Sequence, residues 1–128
     1  MALNVLDSDL AMDILNGQGT HRAAIESAIA DRQLVTTSIT RFEVLCGTRS
    51  DEKRTEAHRF FGLLGVLPFD DLAADAAAII DQYLRANGIR LPTADTLIAG
   101  IAMSHGYGLL TRNRRHFERI PGLVIEEL

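Results

Sequence analysis

At 128 residues the chain is long enough to bury a core without disulfides or a structural metal, and 47% apolar with 23% charged residues is ordinary for a folded domain. One cysteine, Cys46, excludes a disulfide framework and a thiolate metal cluster, and no apolar run reaches the roughly 18–20 residues of a membrane span. A net charge of −4 argues against a general nucleic-acid binder, yet of the 13 basic residues only Lys53 is lysine, and arginine suits bidentate phosphate contacts.

No linker, repeat or low-complexity tract interrupts residues 1–128, which read as one domain. The start, Met1 to Leu6, runs straight into a strand without a basic leader, so a cytoplasmic protein is expected. Residues 2–6 form a short apolar strand that stops at Asp7-Ser8-Asp9, and residues 10–16 form a helix ended by Gly17. Thr20 is placed to cap a second helix whose apolar face is Ala24, Ile25, Ala28 and Ile29. Residues 34–37 form the next strand, and Ser38 is the expected N-cap of a helix over 39–48 with Ile39, Phe42 and Cys46 inward. Cys46 then reads as a small packing residue.

Ser50-Asp51 opens a helix to Leu64, closed by Gly65, with Phe60-Phe61-Gly62-Leu63-Leu64 expected in the core, a contact with a second chain being the alternative. Residues 66–69 are a third strand, followed by a long helix capped by Asp70-Asp71 with its stripe at Ala76, Ile79, Ile80, Tyr83 and Leu84. Pro92-Thr93 starts a helix with Ala94, Leu97, Ile98, Ile101 and Ala102 inward, closed by Gly106. Strands over 108–111 and 123–125 flank a helical turn at 113–118. Short apolar strands alternating with helices imply an α/β fold, a three-layer α/β/α sandwich with a short, mostly parallel central sheet. Ligands of such sheets collect at the carboxyl ends of the strands.

Several polar residues fall at that edge. Asp7 follows the first strand, either as a helix cap or as a site carboxylate. Glu43 lies among core-like residues, where a carboxylate is costly unless it meets an arginine, a proton or a cation. Asp95 sits in a first helical turn, where it either complements the dipole or points across the sheet. Asn113 ends the Thr111-Arg112-Asn113 segment and is either a cap or a fourth site group. Oxygen donors without a His or Cys cluster select Mg²⁺ or Mn²⁺, a chemistry suited to phosphodiester hydrolysis.

These segments resemble, in order and over essentially the whole chain, the motifs of PIN-domain ribonucleases of the VapC-like toxin type. The matching stretches are Asn4-Val5-Leu6-Asp7-Ser8-Asp9, Thr40 to Gly47 around Glu43, Pro92 to Ala99 around Asp95, and Thr111 to Leu123. The resemblance implies a Mg²⁺- or Mn²⁺-dependent endoribonuclease acting on structured RNA such as tRNA or rRNA, a homodimer held by a VapB-like antitoxin. It implies Asp7, Glu43 and Asp95 as metal ligands, Glu43 or a neighbour orienting the attacking water, Asn113 where many relatives carry a fourth aspartate, and Thr111 supporting through its hydroxyl. Asp9 reads as a supporting or capping residue, and Arg112, Arg114, Arg115 and His116 as an RNA-phosphate patch, with Arg119 and Arg112 alternatively plain surface charges. Asp7-Ser8-Asp9 also resembles the Asp-x-Asp of haloacid-dehalogenase-type phosphatases, but the sole lysine, Lys53, sits on a polar helix beside Asp51 and Glu52. An inactive binding module and a housekeeping RNA-processing nuclease are the remaining alternatives. Three clustered acids in a domain that binds no metal would repel one another, which disfavours the first.

Overall fold

Among the described residues five strands, each two to four residues long, pair in parallel in the order β3-β2-β1-β4-β5. They are β1 (Asn4–Leu6), β2 (Leu34–Thr37), β3 (Gly65–Leu67), β4 (Gly108–Leu110) and β5 (Ile125–Glu126) in the computed structural model, which describes residues 3–127. The helices are α1 (Ser8–Leu15), α2 (Arg22–Ala30), α3 (Ser38–Cys46), α4 (Asp51–Gly62), α5 (Asp71–Ala86), α6 (Thr93–His105) and α7 (Arg114–Phe117). Of the expected first strand, Ala2 lies outside the described residues.

Side-chain alternation along the strands splits the core in two. Leu6, Leu34 and Leu110 point to one face, where Leu10, Ala11, Ile25, Val44, Ala57, Phe60, Phe61 and Leu64 cover them. Val5 and Leu109 point to the other, against Ile80, Leu84, Ile98, Ala99, Ala102, Phe117 and Ile120. Helices α1, α2 and α4 therefore form one outer layer and α5, α6 and α7 the other, the expected three-layer sandwich with every strand pairing among the described residues parallel.

Several local expectations are corrected. Helix α2 starts at Arg22 with His21 in the cap position and no side-chain cap, so Thr20 does not cap it. Thr37, not Ser38, caps α3 by accepting the Thr40 N–H, because Ser38 Oγ instead accepts the Phe69 N–H at 3.2 Å. The buried face of α3 is Thr40 and Val44; Phe42 is 66% exposed, Ile39 only half-buried, and Cys46 is an exposed free cysteine rather than a packing residue. On α5 the buried stripe is Ala73, Ala77, Ile80 and Leu84, leaving Ile79 and Tyr83 exposed. Gly65 begins β3 instead of closing the helix before it, and the last strand is shifted to Ile125–Glu126. Asp70 caps α5 as expected, its carboxylate accepting the Ala73 N–H at 3.0 Å. Phe60, Phe61 and Leu64 enter the core while Leu63 stays exposed. Among the described residues no helix is long and apolar enough to cross a membrane.

The strand order places the functional edge. The chain leaves β1 toward β2 and β3 on one side, then returns past β1 to β4 and β5 on the other. The crevice where the direction reverses lies between the carboxyl ends of β1 and β4, immediately before Asp7 and Thr111.

Candidate active site

Asp7 follows β1 directly and is 3% exposed. It serves as the N-cap of α1, so the capping and site readings coexist in one carboxylate: Oδ1 accepts the Ser8 N–H at 2.8 Å. Its other oxygen, Oδ2, accepts the Thr111 hydroxyl at 2.7 Å. Burial pushes the Asp7 carboxyl up to about 7; the Thr111 and Ser8 hydrogen bonds oppose that rise, while the charges of Asp9 and Asp95 add to it. Asp7 thus sits among carboxylates, with neutral donors alone in direct contact.

Asp9 lies one step along α1. Its Oδ1 accepts the Leu10 N–H at 2.7 Å, and its Oδ2 accepts the Arg112 N–H at 3.0 Å and lies 3.4 Å from Thr111 Oγ1. Burial pushes this carboxyl up as well, against the Leu10 and Arg112 amides and the Arg112 guanidinium, with Asp13 adding to the rise. Asp9 therefore ties α1 to the segment after β4.

Glu43 points inward from α3 beside Thr40 and Val44. No arginine meets it: among the described residues its hydrogen bond comes from the Ser8 hydroxyl, 2.6 Å from Oε1. Ser8, itself buried, so touches two of the three predicted acids, Asp7 through its amide and Glu43 through its hydroxyl. The sequence reading did not single out Ser8; its place directly after a site aspartate was the available signal.

Asp95 stands in the first turn of α6, whose N-terminus reaches the same edge, and its Oδ2 lies 2.8 Å from His116 Nδ1. His116 is consequently held by a site carboxylate, a pairing that no spacing rule links across 21 residues. Asn113 is exposed, and only its backbone enters the network, donating to Thr111 Oγ1 at 2.9 Å. Its amide makes no side-chain cap to α7, so of the two readings of Asn113 the capping one does not hold.

The arginine patch divides. Arg112 Nε is 3.0 Å from Asp13 Oδ2 and 3.9 Å from Asp9 Oδ2, and Arg114 pairs with Glu127 at 2.7 Å. Arg115 and Arg119 are exposed without an ion pair among the described residues. Lys53 pairs with Glu56 at 3.4 Å on the solvated side of α4, as its polar helix suggested.

Among the described residues Asp9 and Asp95 each have a basic neighbour, Arg112 and His116, while Asp7 and Glu43 have hydroxyl and amide donors alone. Asp7 and Glu43, with Asp95 near enough to Asp7 for its charge to raise that carboxyl, are the oxygen donors that a hard divalent cation would need. Among the described residues no three Asp, Glu, His or Cys side chains stand together as a ready ion cage. An open set of few carboxylates, completed by water and substrate oxygens, is how Mg²⁺ is usually held.

The family model described as PIN domain matches residues 5–123. The chain is 27% identical over 122 residues to Ribonuclease VapC19 of Mycobacterium tuberculosis, covering 94% of this chain and 97% of that protein. It is 35% identical over 94 residues to the tRNA(fMet)-specific endonuclease VapC of Salmonella typhimurium, covering 70% of this chain and 71% of that protein. Its fold superposes on a chain of the DNA-bound VapBC crystal structure from Salmonella typhimurium with a TM-score of 0.85, at 29% identity and with 98% of each chain covered.

Proposed function

The chain belongs to the PIN domain family, and from that premise we propose that it is a metal-dependent endoribonuclease, the toxin of a VapBC-like pair. The observation that carries the reading is Asp7: a buried carboxylate at the sheet's reversal point, surrounded by Asp9 and Asp95 and lacking a basic partner in direct contact. In this reading Asp7, Glu43 and Asp95 hold Mg²⁺ or Mn²⁺. The cation, when bound, supplies activation of water and stabilisation of charge on the departing oxygen. Thr111 holds the Asp7 carboxylate in place, and Glu43 orients the attacking water. Arg115 and the rim around Arg112 and Arg114 contact RNA phosphates. Asn113, exposed at that rim, faces the substrate rather than completing the acid set.

The substrate class is structured RNA of the tRNA or rRNA type, a reading supported by the name of the Salmonella relative, a tRNA(fMet)-specific endonuclease. A VapB-like antitoxin is the expected partner, as the matched Salmonella structure is a VapBC complex, and a homodimer is the expected assembly. The test is incubation of the purified protein with total cellular RNA in Mg²⁺, Mn²⁺ or EDTA beside Asp7→Ala. Discrete fragments with either cation, absent with EDTA and from the variant, are expected. A folded, antitoxin-free protein that leaves RNA intact overturns the proposal in favour of an RNA- or protein-binding module.

A further inference from the structure

Glu43 is the end of a buried line of hydroxyl groups. Thr40 N–H donates to Thr37 Oγ1 at 3.0 Å, Thr37 Oγ1 lies 3.3 Å from Thr40 Oγ1, and Thr40 Oγ1 lies 3.1 Å from Ser8 Oγ. Ser8 Oγ in turn is 2.6 Å from Glu43 Oε1. Thr37 and Thr40 are fully buried and Ser8 is 8% exposed, so water does not compete for these groups. Each hydroxyl carries one proton. The short contact to a carboxylate takes the Ser8 proton, which leaves Ser8 Oγ to accept from Thr40. With its single proton given to Ser8, Thr40 Oγ1 accepts from Thr37, and the Thr40 amide occupies one of the two Thr37 lone pairs. The order of donation is thereby fixed from the N-cap of α3 to the carboxylate.

We propose that Ser8 and Thr40 are positioning residues of the nuclease site: the one-way line Thr37–Thr40–Ser8 fixes the Glu43 carboxylate as an acceptor and holds it for a divalent cation. The inference rests on the nuclease reading above. Hydrogen bonds that run head to tail polarise one another, and carboxylates that bind metals depend on such outer partners for orientation. Among the described residues Thr40 makes no hydrogen bond to Asp7 or Asp95, and its hydroxyl reaches an acid through the Ser8 hydroxyl, which ends on Glu43. The line also accounts for a threonine, Thr40, standing with Val44 on the buried stripe of α3.

The experiment measures Mn²⁺ binding by calorimetry and RNA cleavage for wild type, Ser8→Ala, Thr40→Val and Thr40→Ser, with thermal melting to verify folding. Thr40→Val keeps the shape and removes the hydroxyl, while Thr40→Ser restores it. Ser8→Ala and Thr40→Val are expected to weaken Mn²⁺ binding about tenfold or more, and Thr40→Ser to stay within about twofold of wild type. In a Glu43→Gln background Thr40→Val is expected to change the remaining Mn²⁺ affinity by less than about twofold, because its effect runs through Glu43. A wild type that binds Mn²⁺ and cleaves RNA, with Thr40→Val and Ser8→Ala indistinguishable from it, overturns this inference alone. A wild type that neither binds Mn²⁺ nor cleaves overturns the nuclease reading and this inference together.

Discussion

Thr111 and Asp7, 104 residues apart in sequence, share a 2.7 Å hydrogen bond across the crevice between β4 and β1. The hydroxyl donates to Asp7 Oδ2 and so favours the charged form, opposing the burial that pushes this carboxyl up to about 7. Thr111→Val removes the donor at constant shape. The Asp7 pKa is then expected to rise further, the acid limb of the pH–rate profile to move to higher pH, and cleavage at pH 7 to fall about tenfold. Thr111→Ser is expected to keep the wild-type limb. Profiles of kcat/KM against pH for the three proteins check this, and a valine variant with an unmoved limb contradicts it.

The same raised carboxyl makes a stability prediction for the metal-free protein. Burial pushes the Asp7 carboxyl of the folded chain up to about 7, against 3.8 for an ordinary aspartate. Between those values the folded state holds a proton that the unfolded chain has released, so stability declines as pH rises from about 4 to about 7 and is level above. Burial also pushes Asp9 up, in the same sense. Asp7→Asn removes the first contribution. In EDTA the variant is expected to exceed wild type by on the order of 2–4 kcal/mol at pH 8, the difference shrinking toward pH 4. Urea unfolding at both pH values measures it. At pH 7.5 added Mn²⁺ is expected to raise the melting midpoint of wild type and to leave Asp7→Asn nearly unmoved, since binding to the native state alone stabilises it. Equal pH profiles for the two proteins would remove the argument for a buried, proton-holding Asp7.

The reach of the sequence is clearest on α3. Hydrophobicity placed Phe42 and Cys46 inside, whereas the structure turns both outward and buries Thr40 and Val44. Glu43 lies between either choice of stripe, so its inward position was legible even though the stripe was not. The error has a physical cause: at the carboxyl edge the core is lined by hydroxyls that satisfy one another, and threonine counts there as a core residue. Helix α5 misled in a related way. Ala73 and Ala77 face inward while Ile79 and Tyr83 remain exposed, because α6 approaches too closely for larger side chains. The order of elements along the chain and a mostly parallel sheet followed from the alternation of short strands and helices, which also put Asp7 at the carboxyl end of the first strand. Pairings such as His116 with Asp95 or Arg112 with Asp13 depend on side-chain reach between separate elements, which no local pattern encodes.

Those pairings separate the arginines as RNA contacts. Arg112 is already held 3.0 Å from Asp13, whereas Arg115 is exposed and without an ion pair among the described residues. Arg115→Ala is expected to weaken RNA binding and lower the salt slope by about one. Arg112→Ala, whose charge is offset by Asp13 and Asp9, is expected to change the slope by less than half as much as Arg115→Ala. Its stability loss should stay within about 1 kcal/mol, as for other exposed pairs. Binding of a catalytically silent Asp7→Asn protein to tRNA at several salt concentrations checks both slopes. The reverse order would show that Arg112 leaves Asp13 when RNA arrives.

Gly100 tests the close approach of α6 to α5. A Cβ built there would stand 2.7 Å from the Ala77 Cβ, 2.8 Å from the Ala73 carbonyl oxygen and 2.9 Å from the Ala77 nitrogen. Two of these three neighbours are backbone, so no rotamer change relieves the overlap; the helices must separate. Alanine is the better helix former by up to about 1 kcal/mol, and overpacking a filled core costs about 1–3 kcal/mol. The packing term is the larger of the two here, because Gly100 is buried and its neighbours are fixed in a helix that also carries Ile80 and Leu84 into the core. Gly100→Ala is therefore expected to lower the unfolding free energy by about 1–2 kcal/mol. Gly62, at the end of α4, meets nothing within 4 Å at the same built position and serves as the control. There Gly62→Ala is expected to be neutral or stabilising by up to about 1 kcal/mol, through helix propensity and a less flexible unfolded chain. Urea midpoints of the two variants against wild type separate the effects: opposite signs are expected. A Gly100→Ala protein as stable as Gly62→Ala would mean that α5 and α6 are not packed at the distance described.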